Sequence, residues 1–293
     1  MAGGRNFLGP YRLVRLIRVG STCQVWEAIN EHGSSERVAL KALVDEHVSN
    51  KTEIAGLKHE FEVAKTLSHS NIIKIHEFKH GRDSTYLVLE LYSEDNLKQL
   101  LRDVGTDFIA PILTKIIDKI AIGLSHLHDK GWIHCDIKPD NFLVSREGDL
   151  KIIDFAITQK KKNALVALFG KSKVQGTRSY MSPEQIRGKG IAERSDIYSL
   201  GCVIFELLAG KAPYTATSPD ELLSKHLSAA IPNVTVNNGN VTPEFSKFLM
   251  TMLAKKPDRR PETMTDILRA VREIRIFKNT PKAPPAKTPA DDS

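Results

Sequence analysis

Hydrophobic and polar residues alternate through much of the first ninety residues, a period of two that predicts β-strands. This alternation is partial in 11–16 and clear in 24–29, and 37–43, which follows a Gly-Ser-Ser turn, is predicted as a third strand. Apolar runs at 72–75 and 85–89 predict two further strands of one antiparallel sheet. Between these groups, residues 54–67 carry apolar side chains at helical spacing. The first part of the chain is therefore predicted to be an antiparallel sheet with one main helix.

From Pro111 onward the hydrophobic spacing becomes helical. One face of the first such helix carries Leu113, Ile116, Ile117, Ile120, Leu124 and Leu127. The segment 196–210 is apolar nearly all round, which predicts a central buried helix. Ser218-Pro219 and Thr242-Pro243 each place a capping residue before a proline, as at helix starts, and 264–274 is amphipathic. The second part of the chain is predicted to be mostly helical.

A polar cluster follows the first of these helices, in the segment His134-Cys135-Asp136-Ile137-Lys138-Pro139-Asp140-Asn141. Asp136 can accept a proton from an attacking hydroxyl group, and Lys138 can neutralise a transferring phosphoryl group. Asn141 can bind a metal ion. Asp154, at the end of the apolar pair Ile152-Ile153, can supply a second oxygen ligand. These residue types indicate metal-assisted phosphoryl transfer.

The motifs resemble those of the eukaryotic-type (Hanks-type) serine/threonine protein kinases. The family's H-R-D-x-x-x-x-N and D-F-G read H-C-D-x-x-x-x-N and D-F-A here, in the same order and at similar spacing. Val38-Ala39-Leu40-Lys41 is similar to the family's V-A-I-K. The segment 176–184 resembles G-T-x-x-Y-M-x-P-E, and Met181-Ser182-Pro183-Glu184-Gln185 looks like the bacterial branch.

The resemblance implies an α+β, bilobal protein-kinase-like fold, with an antiparallel-sheet N-lobe that has one main helix and a mostly helical C-lobe. The expected divisions are an N-terminal extension at 1–10, a kinase domain at 11–278 and a disordered Pro/Ala/Lys tail at 279–293. Within the domain, the N-lobe is expected at 11–89, the hinge at 90–93 and the C-lobe at 94–278.

The resemblance also implies catalytic roles for Asp136, Lys138 and Thr177, with the Thr177 hydroxyl bonded to the other two side chains. Asn141 and Asp154 are the expected ligands of Mg²⁺ or Mn²⁺.

Nucleotide contacts are implied for a further group of residues. Lys41, paired with Glu60 on the first helix, is expected to hold the α- and β-phosphates of ATP, while Glu62 is expected at the surface. The other expected contacts are Ile17, Gly20, Val25, Ala39, Leu89, Glu90, Tyr92 and Leu143. Asp95 or Asn96 is the expected ribose contact.

Two structural roles follow from the same resemblance. Asp196 is expected to be a buried acid that anchors backbone amides of the catalytic loop, which is the segment 134–141. Glu184 is expected to form a buried ion pair with Arg260 in the C-terminal lobe.

Departures from the family pattern leave two hypotheses open. Only Gly20 remains of the family's three-glycine loop, because Arg18 and Cys23 occupy the other positions, and Ala156 replaces the glycine of D-F-G. The first hypothesis is an ATP-dependent kinase that phosphorylates Ser and Thr in protein substrates. The second is a pseudokinase that binds nucleotide as a scaffold or regulator. The chemistry requires six charged or amide side chains, and all are present, which favours the first hypothesis. They are Lys41, Glu60, Asp136, Lys138, Asn141 and Asp154.

Cys135 replaces an arginine that in many kinases receives a phosphate from the activation loop. Cysteine cannot do so, and phosphorylation of that loop, for example at Ser172, is therefore not expected to be the main switch. A Ser172→Asp variant with turnover more than about tenfold higher contradicts this expectation.

Composition narrows the function classes further. The net charge is +7, but the lysines are dispersed apart from 160–162 and are not interleaved with aromatic residues, which favours a solvated surface over nucleic-acid binding. The loop lysines could also favour acidic substrates, although simple solvation is the stronger interpretation.

The three scattered cysteines indicate free thiols. The sequence has no run of eighteen apolar residues and no apolar signal region. We therefore expect no membrane span, and we expect a cytoplasmic location.

Overall fold

The computed structural model describes residues 6–31, 36–161 and 176–282. The N-terminal part is a six-stranded antiparallel sheet in the order β1-β2-β3-β4-β6-β5. Its strands are β1 (Phe7–Leu8), β2 (Tyr11–Val19), β3 (Cys23–Asn30), β4 (Arg37–Leu43), β5 (Ile75–His80) and β6 (Thr85–Glu90). The adjacent strands β4 and β6 are almost continuously buried, because they consist largely of Val, Leu and Ala and lie inside the sheet.

One predicted strand is wrong. The segment 72–75 does not form a strand of this sheet, because β5 begins only at Ile75. Ile72 instead forms a parallel bridge with Ile152, and the Ile73 amide donates to the Ile152 carbonyl at 3.0 Å. Ile72, Ile73 and Ile75 are all buried. The apolar run therefore connects the sheet to the second half of the chain.

The main helix of the N-lobe is α1 (Lys51–Ala64). It begins and ends three residues before the predicted segment 54–67, because Asn50 caps it by accepting the amides of Thr52 and Glu53. Its buried face consists of Leu57, Glu60, Val63 and Ala64. The carboxylate of Glu60 is thus held among apolar groups, where it requires a cation.

The C-terminal part is mostly helical, as predicted. Its helices are α2 (Leu97–Ile109), α3 (Leu113–Asp129), α4 (Pro183–Arg187), α5 (Glu193–Ala209), α6 (Pro219–Ser228), α7 (Pro243–Met252) and α8 (Met264–Glu273). Ser218 and Thr242 accept the backbone amides expected of caps, so both predicted helix starts are confirmed. The sequence patterns considered above did not predict α2, although Asn96 and Gln99 form its capping box.

The core of this lobe is built around α3 and α5. All six apolar residues predicted for one face of α3 are buried. Residues from Ser195 to Leu208 of α5 are buried without interruption, which confirms the predicted central helix. Gly201 permits α7 to lie close, since a β-carbon there would approach the Met252 β-carbon to 3.0 Å.

Short strands frame the catalytic loop between these helices. β8 (Phe142–Val144) pairs with β9 (Leu150–Ile152), and β7 (Trp132–Ile133) pairs with β10 (Gln159–Lys160). The chain enters the loop from β7 and leaves it into β8, and residues 153–158 connect β9 to β10. Both polar segments found in the sequence are therefore fixed at their two ends.

The ends of the described chain differ in detail from the expected divisions. β1 lies within the predicted extension, yet it is hydrogen-bonded to β2. Asn279, the first residue of the predicted tail, exchanges hydrogen bonds with Asn240. Ser172, the loop lysines at 162, 171 and 173, and the tail from 283 onward lie outside the described residues. Across the described ranges, no helix has the length and apolar character that crossing a membrane requires.

Candidate active site

A lysine between two carboxylates connects the two lobes. Lys41 on β4 donates to Glu60 on α1 at 2.7 Å and to Asp154, beyond β9, at 3.2 Å. Burial alone would lower the pKa of Lys41. The carboxylates of Asp154 and Glu60 have the larger, opposite effect and raise this pKa above its usual value, so the ammonium is charged. Burial raises the pKa of Asp154, and Lys41 lowers it to about 2. The predicted Lys41–Glu60 pair is confirmed, and Asp154 is ionised at neutral pH.

Asp136, Lys138 and Thr177 form a second polar cluster in the C-lobe. Lys138 donates to the Asp136 carboxylate at 2.6 Å and to the Thr177 hydroxyl at 3.0 Å. The hydroxyl and the amide of Thr177 each donate to Asp136 at 2.9 Å. The predicted bonding of Thr177 to both residues is confirmed. Both carboxylate oxygens of Asp136 are thereby held in a fixed orientation.

Asn141 lies next to Asp136 and has one free ligating atom. Its amide nitrogen donates to the Asp136 carbonyl at 2.9 Å and to the Asp136 carboxylate at 3.3 Å, so its amide oxygen is the group available to a cation. The Asn141 carbonyl accepts the amide of Ile153, the residue before Asp154, at 3.0 Å. One amide oxygen and one ionised carboxylate suit Mg²⁺, which takes its other ligands from water and phosphate.

No cluster of three or more His, Cys, Asp or Glu side chains suited to a metal ion occurs in the described part of the chain.

The backbone of the catalytic loop is held in an unusual conformation. Cys135 and Asp154 both have φ of 69°, the left-handed region that L residues avoid. Asp196 on α5 accepts the amides of His134 and Cys135 at 2.8 and 2.9 Å, and Gln185 donates to the Cys135 carbonyl at 2.7 Å. These bonds confirm the anchoring role predicted for Asp196. Burial raises the pKa of Asp196, but the contact with His128 and the bond from the Cys135 amide bring this pKa below its usual value.

A cleft of about 450 Å³ lies between the lobes, beside Lys41 and Asp154. All of the predicted nucleotide contacts line it, namely Ile17, Gly20, Val25, Ala39, Lys41, Glu60, Leu89, Glu90, Tyr92 and Leu143. Lys138 and Asp154 also reach it, whereas Asp136, Thr177 and Asn141 lie outside its lining. The apolar side chains can enclose a flat heterocycle, and the charged end suits phosphates.

The two candidates for the ribose contact have different surroundings. Asn96 is buried and accepts the Gln99 amide at 2.9 Å as the cap of α2, which leaves its oxygen committed to the helix. Asp95 lines the cleft instead. Sequence reasoning also missed Ile73, Ile153 and Gln99, which line the same cleft. Ile73 belongs to the apolar run 72–75, Ile153 immediately precedes Asp154, and Gln99 belongs to the capping box of α2.

The protein kinase domain model matches residues 11–271. The chain belongs to the protein kinase family. It is 31% identical over 264 residues to serine/threonine-protein kinase PrkC of Bacillus subtilis, a match that covers 90% of this chain and 40% of PrkC. It is 31% identical to serine/threonine-protein kinase PknA of Mycobacterium tuberculosis over 98% of this chain and 65% of PknA.

A probable serine/threonine-protein kinase of Clostridium acetobutylicum is 32% identical over 88% of this chain and 39% of its own length. The chain thus spans about two-fifths of the length of several curated relatives that it matches.

The segment that corresponds to the family's three-glycine loop still forms a tight turn in this kinase domain. The Gly20 amide donates to the Cys23 carbonyl at 2.8 Å and closes the hairpin between β2 and β3. A β-carbon at position 20 would lie 3.1 Å from that carbonyl, a close contact that glycine avoids. Arg18 and Cys23 occupy paired strand positions opposite Val25 and Leu43, where ordinary side chains fit.

Ala156 fits its position in the kinase domain. Among the described residues other than glycine, a positive φ occurs at Cys135 and Asp154 and not at Ala156. Alanine therefore replaces the glycine of D-F-G without backbone strain, which removes one argument for a pseudokinase.

A buried ion pair fixes the activation segment, the stretch between Asp154 and Glu184, to the end of the C-lobe. Arg260 donates to both carboxylate oxygens of Glu184 at 2.7 and 3.0 Å, as the sequence predicted. Ser195 on α5 donates to Glu184 at 2.7 Å. The Arg260 side chain is 0% exposed and Glu184 7%, so each charge depends on the other.

Proposed function

We propose that this protein transfers the γ-phosphoryl group of ATP to serine and threonine hydroxyl groups of protein substrates. The observation that carries the proposal is the double contact of Lys41 with Glu60 and Asp154. A lysine in this position presents a charged ammonium to phosphates at the mouth of the cleft. The same contact sets the ionised Asp154 beside the nucleotide position.

ATP lies, in this proposal, with its adenine in the apolar part of the cleft. The backbones of Glu90 and Tyr92 face the adenine edge, Leu89 closes the rear and Asp95 reaches the ribose. Lys41 binds the α- and β-phosphates. The remaining apolar contacts are Ile17, Val25, Ala39 and Leu143, and Gly20 lies over the phosphates.

Asn141 and Asp154 are the proposed protein ligands of a divalent ion, Mg²⁺ or Mn²⁺. When bound, the ion supplies neutralisation of negative charge on the phosphate oxygens. Asp154 suits the task because Lys41 keeps its carboxylate ionised. The bonds from the Asn141 amide nitrogen to Asp136 fix which end of that amide faces the cation.

Asp136 is proposed to orient the substrate hydroxyl and to take its proton. The hydroxyl oxygen forms a bond to the γ-phosphorus as the bond from that phosphorus to the β-phosphate oxygen breaks, which leaves phosphoprotein and ADP. Lys138, 2.6 Å from Asp136, stabilises the charge on the transferring group. Thr177 holds both side chains in place.

Preference for serine and threonine is supported by two features. Lys138 stands two positions after Asp136, and its partner is a threonine at 177, as in the serine/threonine branch that the sequence resembles. The curated relatives described above are serine/threonine-protein kinases by name. Free thiols at all three cysteines and the use of ATP support a cytoplasmic location of the kinase domain.

The proposed kinase domain consists of an N-lobe at 11–89, a hinge at 90–93 and a C-lobe at 94–278. β1 extends the sheet of the N-lobe at its start. The match of the family model to residues 11–271 supports these divisions.

Autophosphorylation, measured by mass spectrometry on the wild type beside Asp136→Asn, tests the proposal. Phosphate is expected on the wild type alone. Phosphate on neither protein, together with a melting temperature raised by Mg-ATP, is the result of a pseudokinase. Phosphate on both proteins contradicts the role of Asp136.

A further inference from the structure

His59 on α1 bonds directly to the start of the activation segment. Its Nε2 atom lies 2.7 Å from the carbonyl oxygen of Thr158, and because a carbonyl accepts, the ring must donate. Thr158 is buried and stands four residues after Asp154. This bond joins the helix that carries Glu60 to the segment that carries Asp154.

Thr158 is itself tied to the catalytic loop. Its hydroxyl donates to the His134 carbonyl at 3.4 Å, and its amide donates to the Phe155 carbonyl at 3.2 Å. The next two residues form β10, which pairs with β7 immediately before the loop. A displacement of α1 transmitted through His59 would therefore disturb both polar segments of the active site.

Trp132 on β7 supports His59 from the side. The two rings meet edge to face at 6.0 Å, and the indole nitrogen donates to the Thr66 hydroxyl, just beyond α1, at 2.9 Å. Lys160 lies over the Trp132 ring at 5.4 Å. The helix is thus fastened at His59 and beyond its C-terminal end to the β7–β10 pair.

Adjacent residues on a helix point about 100° apart. Glu60 therefore faces Lys41 while His59 faces Thr158, and one position of α1 satisfies both. An outward swing of α1 would break both contacts. The His59 bond uses only atoms of this chain and needs no phosphate, whereas the nearby Cys135 thiol donates to the Ile133 carbonyl and offers no cation.

We propose that His59 is a positioning residue that latches α1 to the activation segment and holds Lys41, Glu60 and Asp154 in the competent arrangement without phosphorylation of that segment. The inference rests on the proposed kinase activity. Loss of the latch lowers the populated fraction of the competent state. That loss lowers kcat and weakens ATP binding together, and leaves binding of the protein substrate unchanged.

Three variants separate the hydrogen bond from the bulk of the ring. The Nε2 atom of glutamine matches the position of histidine Nε2, whereas the amide of asparagine is one bond shorter. His59→Ala and His59→Asn are expected to lower kcat on casein about tenfold and to weaken Mg-ATP binding about threefold. His59→Gln is expected to stay within about threefold of the wild type. The KM for casein should not change.

Each protein is first treated with a phosphatase, and intact mass confirms that no phosphate remains. The initial rate of the dephosphorylated wild type is expected to equal that of the untreated protein. Lys58→Ala, an exposed neighbour on α1, is the matched control and should behave as the wild type. Melting temperatures show whether each variant is folded.

If kcat is equal in His59→Ala and the wild type, the latch is overturned. It is also overturned if His59→Gln loses as much kcat as His59→Ala. A dephosphorylated wild type that is inactive until it is rephosphorylated also overturns it. If the wild type transfers no phosphate under any condition, the proposed function fails. In that case the affinity for Mg-ATP, measured by calorimetry, tests the latch independently of phosphate transfer. An unchanged affinity in His59→Ala contradicts the latch.

Discussion

Asp154 accepts a hydrogen bond from Lys41 at 3.2 Å, although 113 positions separate the two residues in the chain. Lys41 belongs to the N-lobe sheet, and Asp154 follows a strand of the C-lobe. The contact therefore joins the two lobes across the cleft, beside the bond from Lys41 to Glu60 on α1.

The first prediction concerns the charge at position 41. Lys41→Met removes the ammonium that binds Glu60 and Asp154, and kcat is expected to fall at least about a hundredfold. Steady-state phosphorylation of casein measures it. Lys65→Met, which removes an exposed lysine just beyond α1, is the control and should leave kcat unchanged. A Lys41→Met enzyme within about tenfold of the wild type would contradict the role of this residue.

Thr177 provides a prediction about orientation. Thr177→Ala removes the hydroxyl that links Asp136 and Lys138, so kcat is expected to fall about ten- to a hundredfold. The KM for ATP should stay constant, because Thr177 does not line the nucleotide cleft. Thr177→Ser keeps the hydroxyl and should restore most of kcat. Equal loss in the serine and alanine variants would show that the methyl group, and not the hydroxyl, matters.

The Glu184–Arg260 pair provides a prediction about stability. Glu184→Gln or Arg260→Met alone leaves a buried charge without its partner and is expected to lower the free energy of unfolding by about 3–5 kcal/mol. Urea denaturation measures this change. The double variant should lose less than the sum of the single variants, since no charge remains buried. Arg269→Gln, at an exposed pair, should change stability by less than about 0.5 kcal/mol.

Cys23 provides a test of nucleotide binding that does not depend on transfer. It lines the cleft and is half-buried, whereas Cys135 and Cys202 are buried. Iodoacetamide is expected to modify Cys23 first, and Mg-ATP should slow the reaction. Burial raises the pKa of the Cys23 thiol, so the rate should rise with pH through the alkaline range, where the thiolate forms.

Peptide mapping by mass spectrometry identifies the modified residue, and Cys23→Ala serves as the control. Modification at a rate independent of Mg-ATP would show that nucleotide does not occupy this part of the cleft.

Local patterns predicted the elements that depend on local physics. The caps at Ser218 and Thr242 follow from hydrogen bonds within four residues. Local patterns failed at 72–75, where the buried isoleucines pair with Ile152, a residue far along the chain. Nothing in a short window distinguishes that pairing from a sheet edge.

Resemblance at the level of motifs identified the six polar residues of the site, because the spacing within the catalytic loop and the strand before Asp154 is short and characteristic. It could not distinguish Asp95 from Asn96, two adjacent polar residues. The choice depends on which of them caps α2, and the structure shows that it is Asn96.

The sequence by itself determined the family, the order of the two lobes and the residue types available for phosphoryl transfer. Only the tertiary structure decided that His59 faces Thr158, that Ala156 sits without strain and that Cys135 and Asp154 adopt a left-handed backbone. The physical reason is that these features depend on the orientation of packed elements. Hydrogen bonds between residues distant in the chain fix that orientation, and hydrophobic periodicity does not encode it.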